Sequence, residues 1–165
     1  MNQVKTRAEI EQKYKWNLTD IFENDEKWEE AFNLIKDEIH VLKGFKGRLQ
    51  DKNALKEFFK KEHNVSLISE KLFVYAKMSR DQDNGNDTYV SMCDRAYSLL
   101  MLIKTETAFV TPELTKLPDE TLLSWAQEDV FKDNSLLLKE IVRNKEHLLS
   151  ENEERLLART SEMAN

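Results

Sequence analysis

The chain has 165 residues, of which 40% are hydrophobic and 34% are charged. Its 31 acidic and 25 basic side chains leave a net charge of −6, which disfavours a protein that binds nucleic acid through its phosphates. The apolar content is too high for a disordered chain, and the length suits one domain with its own core or two very small ones.

No apolar stretch approaches the roughly 20 residues that a membrane-spanning helix needs. The most apolar one, 98–110, is interrupted by Lys104 and Glu106. The polar N-terminus is followed by no hydrophobic stretch, so the sequence predicts no secretory signal. Cys93 is the only cysteine and cannot form an internal disulfide, as is typical of a reducing compartment. With few glycines and prolines, these features predict a cytoplasmic, helical protein without membrane or nucleic-acid partners.

The first 23 residues are predicted to form an N-terminal arm that packs on the helices. This segment is mostly polar, yet it carries several large apolar side chains that favour burial against another element. They are Tyr14, Trp16, Leu18, Ile21 and Phe22.

Residues 24–110 are predicted to form three long helices that make the main bundle. Behind a capping Asn24, apolar side chains recur every three or four residues and therefore share one helix face. They are Trp28, Phe32, Ile35, Ile39 and Leu42. A second run begins at a capping Asp51 and has a soft interruption near Asn64. The third run follows an Asn/Asp-rich loop at 81–87, and because it is the most apolar it is expected to be the central helix.

Residues 111–165 are predicted to form shorter helices. Pro118 can begin one helix and 136–142 another, while Ser150 and Glu153 have the spacing of a capping box. The helix begun there meets no stop signal before the last residue, which predicts that the chain is a piece of a longer one. The predicted fold is thus all-α, an antiparallel bundle of about five to six helices with an N-terminal arm.

The three histidines and Cys93 are the first candidates for a chemical role. Zinc peptidases use His-Glu-x-x-His on a helix, and di-metal bundles use Glu-x-x-His. His40, His63 and His147 fit neither pattern, although a site assembled from distant residues stays open. Cys93 lies on the apolar stripe of the third run and is predicted to be a buried small hydrophobe rather than a nucleophile.

The acidic loop resembles a calcium loop only superficially. Counting from Asp81, Asp83 occupies position 3, but Gly85 falls one place early and Met92 stands where the closing glutamate belongs. An ordinary loop between two helices, with cap residues, is the favoured interpretation of Asp81, Asp83 and Asp87.

A basic stretch crosses the end of the first run and the start of the second. It comprises Lys43, Lys46, Arg48, Lys52, Lys56, Lys60 and Lys61. Acidic side chains are interleaved with it, so a solvated helix face is favoured over a phosphate site. No Gly-rich phosphate loop, nucleophile elbow or Cys-x-x-Cys pair occurs. We therefore predict no catalytic, cofactor-binding or metal-binding residue in this chain.

Several short segments, in order along the chain, carry a family resemblance. They are Tyr-Lys-Trp-Asn-Leu-Thr-Asp-Ile-Phe at 14–22 with Trp28, Lys-Gly to Gly-Arg-Leu at 43–49, Tyr-Ala with two aspartates at 75–83, Pro-Glu-Leu at 112–114, and His-Leu-Leu-Ser with Glu-Glu and Leu-Leu at 147–157. Together they resemble the N-terminal region of oligoendopeptidase F, a thimet-oligopeptidase-like zinc metallopeptidase that cuts short peptides.

The resemblance implies that the zinc-binding His-Glu-x-x-His helix lies in a C-terminal catalytic domain beyond this chain. Zinc-activated water would attack the peptide bond there, and the chain itself would form one wall or lid of the substrate cavity. Its partners would be that catalytic domain and, in the whole enzyme, short peptides. Alone it is predicted to be inactive. The alternative is a free-standing helical interaction module whose grooves bind partner helices.

Overall fold

The structure is a computed structural model that describes residues 9–145. All the regular secondary structure within these residues is helical, so the predicted all-α class is confirmed. The helices are α1 (Asp25–Lys43), α2 (Lys52–Gln82), α3 (Asp87–Glu106), α4 (Val110–Leu114), α5 (Asp119–Trp125) and α6 (Ser135–Asn144), with 3-10 turns at Gln12–Tyr14, Leu18–Asp20 and Asp129–Asn134. The chain divides into two compact units, Met1–Val110 and Thr111–Asn165.

The first long helix, α1, begins and is oriented as its sequence pattern predicts. The Asn24 side chain accepts a hydrogen bond of 2.9 Å from the backbone N–H of Lys27, which satisfies one of the free donors of the first turn. The predicted apolar face is turned inwards, with Trp28 and Ile35 fully buried. After α1 the chain turns at Gly47, whose φ of +80° is one that glycine adopts without strain.

The second helix, α2, is longer than the pattern indicates. Asp51 caps it, accepting a hydrogen bond of 2.8 Å from the N–H of Ala54. The interruption expected near Asn64 is wrong, because the helix continues through this residue to Gln82. Asn64 is exposed and Val65 carries on the buried face, so the modest cost of an asparagine in a helix is outweighed by packing on either side.

The three long helices pack against one another. Since only residues 83–86 separate α2 from α3, these two helices form an antiparallel hairpin. Trp28, early in α1, contacts Leu72, late in α2, so α1 and α2 are antiparallel as well. Each helix contacts the other two. The expectation that the third run is the central helix is therefore wrong, because a bundle of three has no central member.

In the described part of the arm, the 3-10 turn Leu18–Asp20 contacts α2, and so does Phe22. The Phe22 ring meets the Tyr75 ring of α2 edge-on, with 5.6 Å between centroids. Tyr14 and Trp16 keep 71% and 53% of their surface exposed. Trp16, which the sequence suggested as one of the packing residues, thus stays largely in solvent.

The second unit has a small core of its own. Pro118 precedes α5, and the predicted helix over 136–142 is confirmed within α6. Phe131 is buried and stacks against Trp125 with 6.0 Å between ring centroids. The Lys145 ammonium donates to the backbone carbonyl of Leu117 at 2.6 Å. His147 and the capping box at 150–153 lie outside the described residues.

None of the helices between residues 9 and 145 combines the length and the apolar character that a membrane crossing requires.

Candidate functional site

The side chains with the most obvious chemistry are scattered. His40 on α1 and His63 on α2 are exposed, Cys93 on α3 is buried, and His147 lies outside the described residues. Between residues 9 and 145 no three His, Cys, Asp or Glu side chains come close enough to hold a metal ion. The described residues therefore do not provide the ligand set that a zinc peptidase needs.

The residues of the acidic loop serve the ends of helices. Asp81 lies within 3.7 Å of Lys77 and 3.2 Å of Arg80. Asp83 occupies the C-cap position of α2, and Asp87 lies in the first turn of α3, where a carboxylate stabilises the positive end of the helix dipole.

Two members of the basic stretch are engaged within the first unit. Lys43 lies 3.1 Å from a carboxylate oxygen of Glu106, which joins the C-terminal ends of α1 and α3. The Arg48 guanidinium lies over the Phe45 ring, 5.7 Å from its centroid. These contacts agree better with a structural face than with a phosphate site.

Directional polar contacts gather at the N-terminal end of α1, and we call this region the polar end of the bundle. Its residues are Asp25, Trp28, Glu29, Tyr75 and Arg95. The Trp28 indole N–H donates to the buried Leu72 carbonyl at 2.9 Å, and the Tyr75 hydroxyl donates to a carboxylate oxygen of Asp25 at 2.7 Å. Both bonds tie α1 to α2.

Arg95 of α3 closes the same end from the other side. Its guanidinium makes a two-pronged ion pair with the Glu29 carboxylate. It also lies over the Phe32 and Trp28 rings, 4.4 and 5.2 Å from their centroids. Arg95 thus combines an ion pair with cation–π contacts, which fixes α3 against α1.

The surroundings at the polar end shift the pKa values of two side chains, Glu29 and Tyr75, in opposite directions. The hydrogen bond from Arg95 lowers the pKa of Glu29 below its usual 4.5, while partial burial acts in the opposite direction. Burial raises the pKa of Tyr75 above its usual 10, and the hydrogen bond to Asp25 adds to this rise. At neutral pH Glu29 is therefore ionised and Tyr75 is protonated, the states in which their hydrogen bonds form.

An open groove of about 540 Å³ runs beside the polar end, between α1 and α3, and we call it the α1/α3 groove. Its apolar lining comes from Phe32, Val90, Leu99 and Leu102. Charged side chains flank it, with Lys36 on the α1 side and acidic residues on the α3 side.

Neither the polar end nor the groove was found by sequence reasoning. Glu29 and Arg95 are 66 residues apart, and each lies in an ordinary amphipathic pattern. One signal could have pointed to Arg95, namely an arginine set between the buried positions Met92 and Ala96 of the most apolar run.

Comparison with known proteins identifies the family. The chain is 35% identical over 164 residues to oligopeptidase PepF of Bacillus subtilis, a match that covers 98% of this chain and 24% of the relative. It is 38% identical to the group B oligopeptidase PepB of Streptococcus agalactiae, over 95% of this chain and 26% of that protein. The family model described as Oligopeptidase F matches residues 113–165. The chain belongs to the oligoendopeptidase F family.

This member of the oligoendopeptidase F family matches only the N-terminal part of its relatives. It spans about a quarter of the length of the curated relatives it matches. A crystal structure from Chlamydophila abortus has the same fold, with a TM-score of 0.82 and 24% identity over 96% of this chain and 27% of that one. The predicted resemblance to the N-terminal region of oligoendopeptidase F is therefore confirmed.

Proposed function

We propose that this chain is the N-terminal helical region of a zinc-dependent oligoendopeptidase and forms part of the wall of its substrate cavity. The observation that carries the proposal is the match of nearly the whole chain to oligopeptidases of which it covers about a quarter. A helical wall that restricts access would admit short peptides and exclude folded proteins. A cytoplasmic location stays a prediction from the sequence.

In this proposal the metal ligands and the catalytic groups belong to the remainder of the enzyme. The described residues bring no suitable ligand set together, so no catalytic step is assigned to them. Their contribution is a stable scaffold, since contacts from Trp28, Tyr75 and Arg95 hold the three long helices in one arrangement. Rigid walls keep a cavity in shape at low entropic cost when a substrate enters.

The reading frame of the gene tests this proposal. We expect it to continue past the codon for Asn165 and to encode a His-Glu-x-x-His segment. The protein expressed from the complete frame should then cleave short peptides and lose this activity when the metal is chelated. A frame that ends at Asn165 would overturn the proposal.

The second candidate is a free-standing helical interaction module. The open α1/α3 groove with its apolar lining is the observation that favours it, because helices commonly bind partner helices in such grooves. The reading frame separates the two candidates, since only the module is compatible with a stop directly after residue 165.

We also propose that the N-terminal arm, residues 1–23, stabilises the bundle by packing on α2. The edge-on contact of Phe22 with Tyr75 supports this. Burying even part of such a side chain contributes on the order of 1 kcal/mol. Deleting residues 1–22 should therefore lower the melting temperature by about 2–4 °C. As a control, Trp16→Ala, at a largely exposed ring, should change it little, and an unchanged melting curve of the deletion variant would contradict the proposal.

A further inference from the structure

We propose that the α1/α3 groove is the docking site for an amphipathic helix from the part of the enzyme that follows residue 165. The inference rests on the proposed function, because it requires a longer protein. It assigns to this chain the surface on which that protein's remainder packs. The groove lies wholly within the first unit, on helices whose mutual packing is fixed by the polar end.

The lining of the groove has the character of a helix-binding surface. Phe32 from α1 and Val90 and Leu102 from α3 are only half-buried. Leu99, which also lines the groove, is buried. From Val90 to Leu102 a helix advances about 18 Å, or a little over three turns. The i, i+3 or i+4, and i+7 anchors of an amphipathic helix span only about 10 Å, so the groove is long enough to seat such a helix.

The charges beside the groove specify what the docking helix carries. Lys36 lies on the α1 side, and Asp87 and Asp94 lie on the α3 side. None of the three forms an ion pair within 4 Å in the described part of the chain, although Asp94 interacts with Arg80 at longer range. Arg95, in contrast, is already satisfied by Glu29. A complementary helix has an apolar face flanked by acidic side chains towards α1 and by basic side chains towards α3.

The remainder of the same protein is a better occupant than a second copy or a substrate peptide. About three quarters of each curated relative's length lies outside the part that this chain matches. A segment tethered to residue 165 competes at a high effective concentration, which a second copy does not have. A substrate must leave after each cycle, whereas an apolar lining with complementary charged rims favours lasting occupation.

Site-specific photo-cross-linking in the protein from the complete reading frame tests the assignment. The photoreactive amino acid p-benzoylphenylalanine replaces Ser98, an exposed residue at the groove, and in a matched control it replaces Glu70, an exposed residue on α2 away from the groove. After irradiation, mass spectrometry locates the linked peptide. We expect position 98 to link to an amphipathic helix beyond residue 165 of the same molecule, and position 70 not to link to that helix.

Three results would overturn the proposal. They are the absence of any cross-link from position 98, a link to a second copy or within residues 1–165, and the same cross-links from both positions. Peptide cleavage by the same preparations separates the two claims. A protein that cleaves peptides without the expected link refutes the docking surface and leaves the proposed function standing. A frame that ends at Asn165 refutes both.

A smaller substitution at the same position provides a second test in case the photoreactive residue prevents folding. Ser98→Cys exchanges one oxygen for sulfur, and the native hydroxyl bonds only the Asp94 carbonyl one turn back. The wild-type Cys93 is buried and gives a low background. In the complete protein we expect a thiol reagent to label Ser98→Cys at least about tenfold more slowly than Glu70→Cys, because labelling requires the docked helix to open. Equal labelling rates would overturn the proposal.

Discussion

The two ends of the three-helix bundle are held by different physics. At the polar end, single directional contacts join the helices, such as the indole of Trp28 on the Leu72 carbonyl. At the other end, aromatic rings gather around Phe58, and we call this the aromatic end. Phe58 has centroid distances of 5.8 Å to Phe45 and to Phe59, and 6.0 Å to Phe109.

The comparison of the two ends separates the contacts that contribute folding free energy from those that select one alignment of the helices. The free energy gained by burying rings is roughly proportional to area and tolerates small shifts of the helices, so the ring cluster around Phe58 contributes free energy without selecting one alignment. The ion pair of the exposed Lys43 with Glu106 at this end adds at most about 1 kcal/mol. A buried hydrogen bond fails once the donor moves away, and leaving a buried carbonyl unpaired costs more than the bond itself contributes. The polar end therefore sets how α1 lies against α2 and α3. It also shapes the neighbouring groove.

The largest expected effect is at the aromatic end. Phe58→Ala removes a ring that is 1% exposed and leaves a cavity among its neighbours. It should lower the free energy of unfolding by about 3–5 kcal/mol. Chemical denaturation measures this value, and Tyr97→Ala, at a ring that is mostly exposed, is the matched control with a much smaller loss. Equal losses would contradict the description of the aromatic end as a buried cluster of rings.

Trp28→Phe should show the next largest effect. The substitution keeps an aromatic ring beside Phe32 but removes the N–H that satisfies the Leu72 carbonyl. The expected loss is about 1–3 kcal/mol of unfolding free energy. Trp16→Phe makes the same change at a largely exposed site and should be nearly neutral. If both variants were equally stable, the buried hydrogen bond would not hold α1 on α2.

Tyr75→Phe should cost about 1 kcal/mol, the size of one lost hydrogen bond, here the one to Asp25. Because folding raises the pKa of Tyr75, its hydroxyl contributes this stability below pH 10 and loses it progressively as the pH rises further. Denaturation at neutral and alkaline pH should show the wild type and the variant converging above pH 10. A constant difference across this range would argue against the bond.

The smallest effect is expected for Glu29→Gln. The pair with Arg95 is partly exposed, and such ion pairs contribute about 0.2–1 kcal/mol. Folding lowers the pKa of Glu29, so its contribution is present above pH 4.5 and is lost as the pH falls through the lowered value. The wild type should therefore lose slightly more stability than the variant between neutral and acidic pH.

Glu70→Gln, at an exposed position on α2, is the control for that acid titration. A variant Glu29→Gln whose stability followed that of the wild type at every pH would show that Arg95 acts only through its contacts with the rings.

Local signals were sufficient for the helices but not for their arrangement. The caps at Asn24 and Asp51 and the buried face of α1 follow from short-range chemistry, and the structure confirms them. The continuity of α2 through Asn64 does not, because packing on both sides of that residue outweighs its weak helix propensity. How α1, α2 and α3 pack is a property of distant contacts, which a periodic pattern does not contain.

The candidate site shows the same limit more strongly. Glu29 and Arg95 meet across 66 residues, and the α1/α3 groove exists only once α1 and α3 lie side by side. The family was recognisable because short motifs keep their order along the chain, which requires no knowledge of packing. The docking partner of the groove could not be predicted from this chain, since we place it in residues that the chain does not contain.

A peptidase assay tests the central claim most directly. The protein from the complete reading frame and the chain of residues 1–165, each supplied with zinc, are compared on a fluorogenic short peptide. The account predicts chelator-sensitive cleavage by the former and none by the latter. Chelator-sensitive cleavage by residues 1–165 alone would contradict it, because the metal site and the catalytic groups would then lie in this chain.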